Sequence, residues 1–172
     1  MAKRVAEFLK VSFEQFVEGY RDSFGECDEK LIREVYDSLK LPRRATRGSA
    51  GYDFFAPIDL SLEPGETVKI PTGIRVKIAT DWVLKCYPRS GLGFKYRLQL
   101  NNTVGIIDSD YYMSDNEGHI FAKITNDSKE GKSVNIPAGT GFIQGIFIEY
   151  GITVDDEVTE ARNGGFGSTT NR

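Results

Sequence analysis

Hydrophobic spacing changes twice along this chain. Residues 3–11 read as a short strand. Helical spacing then takes over, with Phe13, Phe16, Val17, Tyr20 and Phe24 on one face. Ser12 with Gln15 fits a capping box, and Val11 with Phe16 fits a hydrophobic staple. Gly25 is a stop. Asp28 can cap a second helix, whose stripe is Leu31, Ile32, Val35, Tyr36 and Leu39, with Pro42 just beyond. The pattern predicts a helical hairpin over 12–40, expected to pack as an appendage on the outside, with a partner-binding face as the alternative.

From residue 49 the period becomes two. Alternating or β-branched runs occupy 66–70, 73–79, 82–87, 97–100, 104–107, 119–125 and 141–149. Pro64-Gly65, and Pro137 with Gly139, mark turns. Many short strands with frequent turns predict a sandwich or barrel. Polar loops are expected at 113–118 and 126–133, and the acidic, aperiodic stretch 153–161 reads as a linker. The chain thus divides into a first strand (1–11), a helical hairpin (12–40), a β domain (41–152) and a linker with a glycine-rich tail (153–172). Trp82 and Cys86 are expected in the core, and His119 in a strand or loop near the surface.

Composition narrows the function. With 172 residues and 40% hydrophobic content, one domain can bury a real core. Eleven Phe and eight Tyr against two Met favour aromatic-rich β packing. A net charge of −3 gives no global basic field for duplex nucleic acid or an anionic membrane, so any polyanion site must be local. No apolar run approaches the ~20 residues that span a bilayer. Residues 1–10 lack the apolar stretch of a secretory signal, and Cys27 and Cys86 lack metal spacing, so a cytoplasmic protein with reduced thiols is expected. His119 is the single histidine, which argues against multi-His metal sites and a Ser-His-Asp triad.

Four segments could carry chemistry. The tail 162–172 holds three glycines, three adjacent hydroxyl residues, Phe166 and two arginines. It can close over a polyphosphate, with glycine backbone near the phosphates and a ring for a base; the alternative is a frayed terminus. Asp53 follows the small residues Ala50 and Gly51. Arg89 and Ser90 sit at a Gly-flanked turn, a reasonable phosphate grip. Asp108 and Asp110 follow the apolar strand at 104–107. Singly, Asp53 and Asp108 could be turn residues and Arg89 a surface cation; their joint order with the tail is harder to dismiss.

That order resembles the all-β, homotrimeric dUTPase family. The five family segments stand here as Ala-Gly-Tyr-Asp (50–53), Pro-Arg-Ser-Gly-Leu (88–92), Val-Gly-Ile-Ile-Asp-Ser-Asp-Tyr (104–111), Gly-Thr-Gly-Phe-Ile-Gln (139–144) and Arg-Asn-Gly-Gly-Phe-Gly-Ser-Thr (162–169). The resemblance implies a mainly β fold, a distorted jelly-roll barrel or sandwich with an inserted N-terminal hairpin and a flexible C-terminal arm. It implies hydrolysis of dUTP to dUMP and pyrophosphate, which limits uracil incorporation into DNA and supplies dUMP for dTMP synthesis. Asp108 matches the general base that deprotonates the attacking water. Arg89, Ser90, Gly91 and Gln144 match phosphate contacts. Asp53 matches the carboxylate that holds the waters of a Mg²⁺ ion. Tyr111 matches the ring against the deoxyribose, where a ribose 2′-hydroxyl would clash. Asn102, Gly105 and Ile107 belong to the hairpin that reads uracil, largely through its backbone. Phe166 matches the base-stacking ring of the closing tail, with Arg162, Gly167 and Ser168 at the phosphates. Sites are implied between the subunits of a homotrimer.

Some positions depart from the family pattern. Gly141 stands where members often have arginine, and Arg162 lies one residue nearer the glycines. Residues 112–117 make a longer loop, and 12–40 is an insertion; both are candidate surfaces for an unknown protein partner. One rival is a dCTP deaminase, which shares the fold, but Lys123 stands where those relatives place a catalytic glutamate. The other rival is a purely binding protein on the same fold.

Overall fold

The alternation beyond residue 49 is realised as antiparallel sheet. A computed structural model of the chain describes residues 3–160. Its elements, in order, are β1 (Ala6–Lys10), α1 (Phe13–Phe24), α2 (Glu29–Ser38), β2 (Arg43–Arg44), β3 (Tyr52–Phe55), β4 (Leu60–Leu62), β5 (Thr67–Pro71), β6 (Ile74–Ile78) and β7 (Trp82–Pro88). There follow α3 (Ser90–Tyr96), β8 (Leu98–Leu100), β9 (Gly105–Ile107), a 3-10 turn (Ser109–Met113), β10 (Phe121–Asn126), β11 (Val134–Ile136) and β12 (Gly141–Glu149). The seven expected runs are all strands. The stretch after β7 was expected as a turn and is instead the short helix α3, with Arg89 as its N-cap residue.

The largest sheet has the order β2-β3-β12-β7-β9; β5-β10-β8 form a second, and β1-β6 and β4-β11 form two-stranded ladders. All of these pairings are antiparallel. Phe54, Leu84, Phe142 and Ile143 from the large sheet share one core with Ile70, Leu98 and Ile124 from the second. Each such side chain contributes about 1.5–3 kcal/mol when fully buried. Cys86 lies in this core, where burial pushes its thiol up to about 12; Trp82 packs at the edge, half-buried.

The helical hairpin has a second core of Val11, Phe13, Phe16, Val17 and Ile32. Both predicted caps form: Ser12 Oγ accepts from Gln15 N–H (3.2 Å), and Asp28 accepts from Lys30 N–H (2.9 Å). Gly25 closes α1 at φ +84°. Leu31 leaves the expected stripe and is 53% exposed; Ile32 carries the burial instead. The hairpin docks directly on the β domain. Val11 N–H donates to Gly73 O (3.0 Å), and Phe16 and Leu39 close on Gly73, whose φ is +70°.

His119 corrects the expectation of a surface position, since it is completely buried. Gly73, at a positive-φ bend, turns its N–H towards the ring, and His119 Nε2 accepts it at 2.9 Å. Gly19 on α1 leaves room for the imidazole; a Cβ there would lie 2.8 Å from Cε1. Burial drives the His119 pKa down to about 3, with Glu117 opposing and Lys69 assisting.

Candidate active site

Two strand registers build the first half of the site. Gln144 on β12 lies opposite Asp53 on β3 and opposite Tyr87 on β7. Arg89 follows β7 immediately, so three of the predicted residues converge at one end of the large sheet. Arg89 Nε pairs with Asp53 Oδ1 at 3.2 Å, and its Nη1 donates to Gly141 O (3.3 Å). Gln144 Nε2 donates to Pro88 O (3.4 Å). Two glycines leave room beside the cluster. A Cβ at Gly51 would fall 2.6 Å from Gln144 Oε1, and one at Gly141 would fall 3.0 Å from Arg89 Nη1. A Cβ at 141 would require the Arg89 guanidinium to give by a few tenths of an ångström. Ser90 and Gly91 open α3 beside this cluster and are exposed.

The second half lies on β9 and the turn that follows. β9 pairs with β7 through Leu84↔Ile107 and Cys86↔Gly105. It is the last strand of its sheet, with no second sheet neighbour among the described residues. An edge strand offers unpaired backbone donors and acceptors. Gly105 fits closely against Cys86, where a Cβ would approach to 3.1 Å, and the Asn102 amide lies alongside. Ile107 packs on the core, so only its backbone faces the edge. Asp108 then caps the 3-10 turn in extended conformation.

Tyr111 is buried at 7% exposure. Its hydroxyl donates to His119 O (2.7 Å) and accepts from Asn116 Nδ2 (2.9 Å). The expected loop after it is a compact 3-10 turn and reversal. Asn116 and Glu117 gave no distinctive sequence signal, because polar residues in a polar loop look like solvent-facing positions. Arg162, Phe166, Gly167 and Ser168 lie outside the described residues.

The register separates the two halves. Antiparallel pairing sets Asp108 next to Val83, six residues along β7 from Arg89. At ~3.3 Å per residue that is roughly 20 Å. Asp108 and the Arg89–Asp53–Gln144 cluster of one chain therefore stand at opposite ends of the large sheet.

No group of three or more His, Cys, Asp or Glu residues could enclose a metal among the described residues. A lone, largely buried carboxylate at Asp53 suits a different arrangement. Magnesium is a hard cation that keeps several waters and takes phosphate oxygens, needing one or two carboxylates from protein. The donor set fits a Mg²⁺ ion arriving with a polyphosphate.

Fold and site define a jelly-roll protein with an Arg89–Asp53–Gln144 polar cluster at one end of a sheet and a carboxylate, Asp108, beside an edge strand at the other. The dUTPase family model matches residues 37–170. The deoxyuridine 5′-triphosphate nucleotidohydrolase of Lactococcus lactis is 42% identical over 134 residues, covering 76% of this chain and 88% of its own. The Haemophilus influenzae enzyme of the same name is 41% identical over 149 residues, covering 81% and 94%. The crystal structure of dUTPase from Streptococcus mutans superposes with a TM-score of 0.61 at 31% identity, covering 87% of this chain and 98% of that one. A mutant dUTPase from a Staphylococcus aureus phage, whose structure details coordination of a structural Mg(II) ion, shares the fold at a TM-score of 0.57 and 23% identity, covering 71% of this chain and 91% of that one. The chain belongs to the dUTPase family.

Proposed function

We propose that this chain hydrolyses dUTP to dUMP and pyrophosphate in sites shared between the subunits of a homotrimer. One observation carries the reading: Asp108 and the Arg89–Asp53–Gln144 cluster occupy opposite ends of β7, so a complete site needs parts from two copies. A closed cyclic assembly supplies them symmetrically.

Asp108 accepts a proton from water as that water attacks the α-phosphorus. The bond to the bridging oxygen breaks, and pyrophosphate leaves. Arg89, the opening residues Ser90 and Gly91 of α3, and Gln144 hold the phosphates. Their main effect is positioning and charge stabilisation. Asp53 would hold the waters of a Mg²⁺ ion, which would supply neutralisation of triphosphate charge when bound. Uracil pairs with the exposed backbone edge at Gly105 and Ile107, with Asn102 adding an amide. A tight backbone edge rejects the thymine methyl and mismatches the cytosine amine. Tyr111 limits the space beside the sugar, which excludes a ribose hydroxyl. Arg162, Phe166, Gly167 and Ser168 close over the phosphates and base from the tail.

Pyrophosphate release from dUTP, dCTP, dTTP and UTP, with Mg²⁺ and an Asp108→Asn control, tests this. Release from dUTP alone, lowered by roughly 10²–10⁴-fold in the variant, is expected. Equal release by Asp108→Asn, or none by the folded wild-type protein, would refute it. Deamination of dCTP is disfavoured because a lysine, Lys123, exposed on β10, stands where the deaminase relatives place a catalytic glutamate.

A further inference from the structure

We propose that Glu117 is a positioning residue for Tyr111, and that the inserted helical hairpin anchors it through Ser12. The proposal rests on the reading of Tyr111 as the sugar contact. It gives the insertion a part in substrate selection in place of the passive role its position outside the family pattern implied.

The contacts form a continuous chain. Both Glu117 oxygens are taken by the first residue of the insertion: Ser12 N–H donates to Oε2 (2.8 Å), and Ser12 Oγ donates to Oε1 (2.5 Å). Arg75 on β6 adds an ion pair to Oε2 at 3.7 Å. The same guanidinium donates to Tyr112 O (2.7 Å) and lies 3.7 Å over the Tyr112 ring. Glu117 is thus tied both to the hairpin and, through Arg75, to the residue beside Tyr111.

The backbone between them is tightly folded. Glu117 has φ +57° and Gly118 has φ +70°, two successive left-handed residues. A Cβ on Gly118 would lie 2.7 Å from Tyr111 O and 2.8 Å from Tyr112 Cα, so the reversal presses on that backbone. Glu117 N–H donates to Ser114 O (2.8 Å), and the Ser114 hydroxyl donates to Tyr111 O. Asn116 Oδ1 accepts from Gly118 N–H (3.2 Å), which aims its amide at the Tyr111 hydroxyl. A non-glycine residue in the left-handed region persists only where its surroundings over-determine it. Ser12 and Arg75 supply that constraint.

Electrostatics agree with the geometry. Partial burial works against the Glu117 carboxylate, yet the Ser12 hydrogen bonds, with Arg75 behind them, hold its pKa below the usual glutamate range. Charge-assisted hydrogen bonds of this kind are about twice as strong as neutral ones.

Glu117→Ala, Glu117→Gln and Ser12→Ala in the full chain test the proposal by two readouts. The first is amide hydrogen exchange across 109–119; the second is steady-state kinetics on dUTP and UTP. Glu117→Ala is expected to accelerate exchange in that segment. It should raise KM for dUTP roughly tenfold with kcat within about twofold, and lower the preference for dUTP over UTP by a similar factor. Glu117→Gln, which keeps an acceptor for Ser12, should recover most of the loss. Unchanged exchange, or faster exchange with unchanged KM and sugar preference, would overturn the proposal. Should Glu117→Ala not fold, Ser12→Ala carries the same test, because it removes one of the two Ser12–Glu117 bonds, together with the Gln15 cap, and leaves the Arg75 pair. Absence of dUTP turnover by the wild-type protein would count against the function itself, and the exchange result would still decide whether the anchor holds the segment.

Discussion

Gly73 shows how much one position can bear. Its φ is +70°, and a Cβ there would lie 2.3 Å from Leu39 Cδ1 and 3.1 Å from Phe16. Gly73→Ala therefore adds left-handed strain and overpacking at the seam between hairpin and β domain. A loss of roughly 2–4 kcal/mol is expected in urea unfolding. Its partner His119 makes stability depend on pH. The folded pKa is about 3 against 6.5 when unfolded, so between those values only the unfolded chain binds the proton. Stability then falls as pH drops below about 6.5, with a limiting slope of about 1.4 kcal/mol per pH unit. Thermal unfolding of His119→Gln between pH 7 and 4 should show a shallower decline than wild type; identical slopes would contradict the assignment. Asp53 and Arg89 were legible in the sequence because polar residues beside glycines stand out, and Gln144 only through the resemblance of its segment to the dUTPase family. His119 was not, because its burial depends on Gly19 and Gly73, which are remote in sequence.

At the scale of elements, periodicity found both helices and the seven longer runs. It missed β2, β3, β4 and β11, which have two to four residues and show no countable alternation. It also read α3 as a turn, because two glycines in seven residues weaken any helical signal. The capping box at α1 was half right. Ser12 Oγ caps Gln15 N–H, but Glu117 takes the Ser12 N–H that a capping-box Gln15 side chain would have filled. Gln15→Ala should therefore cost less than about 0.5 kcal/mol, and Ser12→Ala about 1–2 kcal/mol. Chemical denaturation of the two variants checks this, and equal costs would restore the reciprocal box.

For the whole molecule, sheet order decides the chemistry. An antiparallel register that sets Ile107 against Leu84 places Asp108 away from Arg89; in the proposed site another copy brings Arg89 to each Asp108. The sequence alone presents these residues as one set; it carries no register, so the division between chains emerges from strand pairing. Asp108→Asn and Arg89→Ala homotrimers should both be nearly inactive on dUTP. The decisive measurement is pyrophosphate release after the two variants are co-expressed in equal amounts. Random assembly pairs an intact Asp108 with an intact Arg89 across an interface in about a quarter of sites, so about a quarter of wild-type activity should return. Activity no higher than that of the separate variants would contradict a site shared between chains.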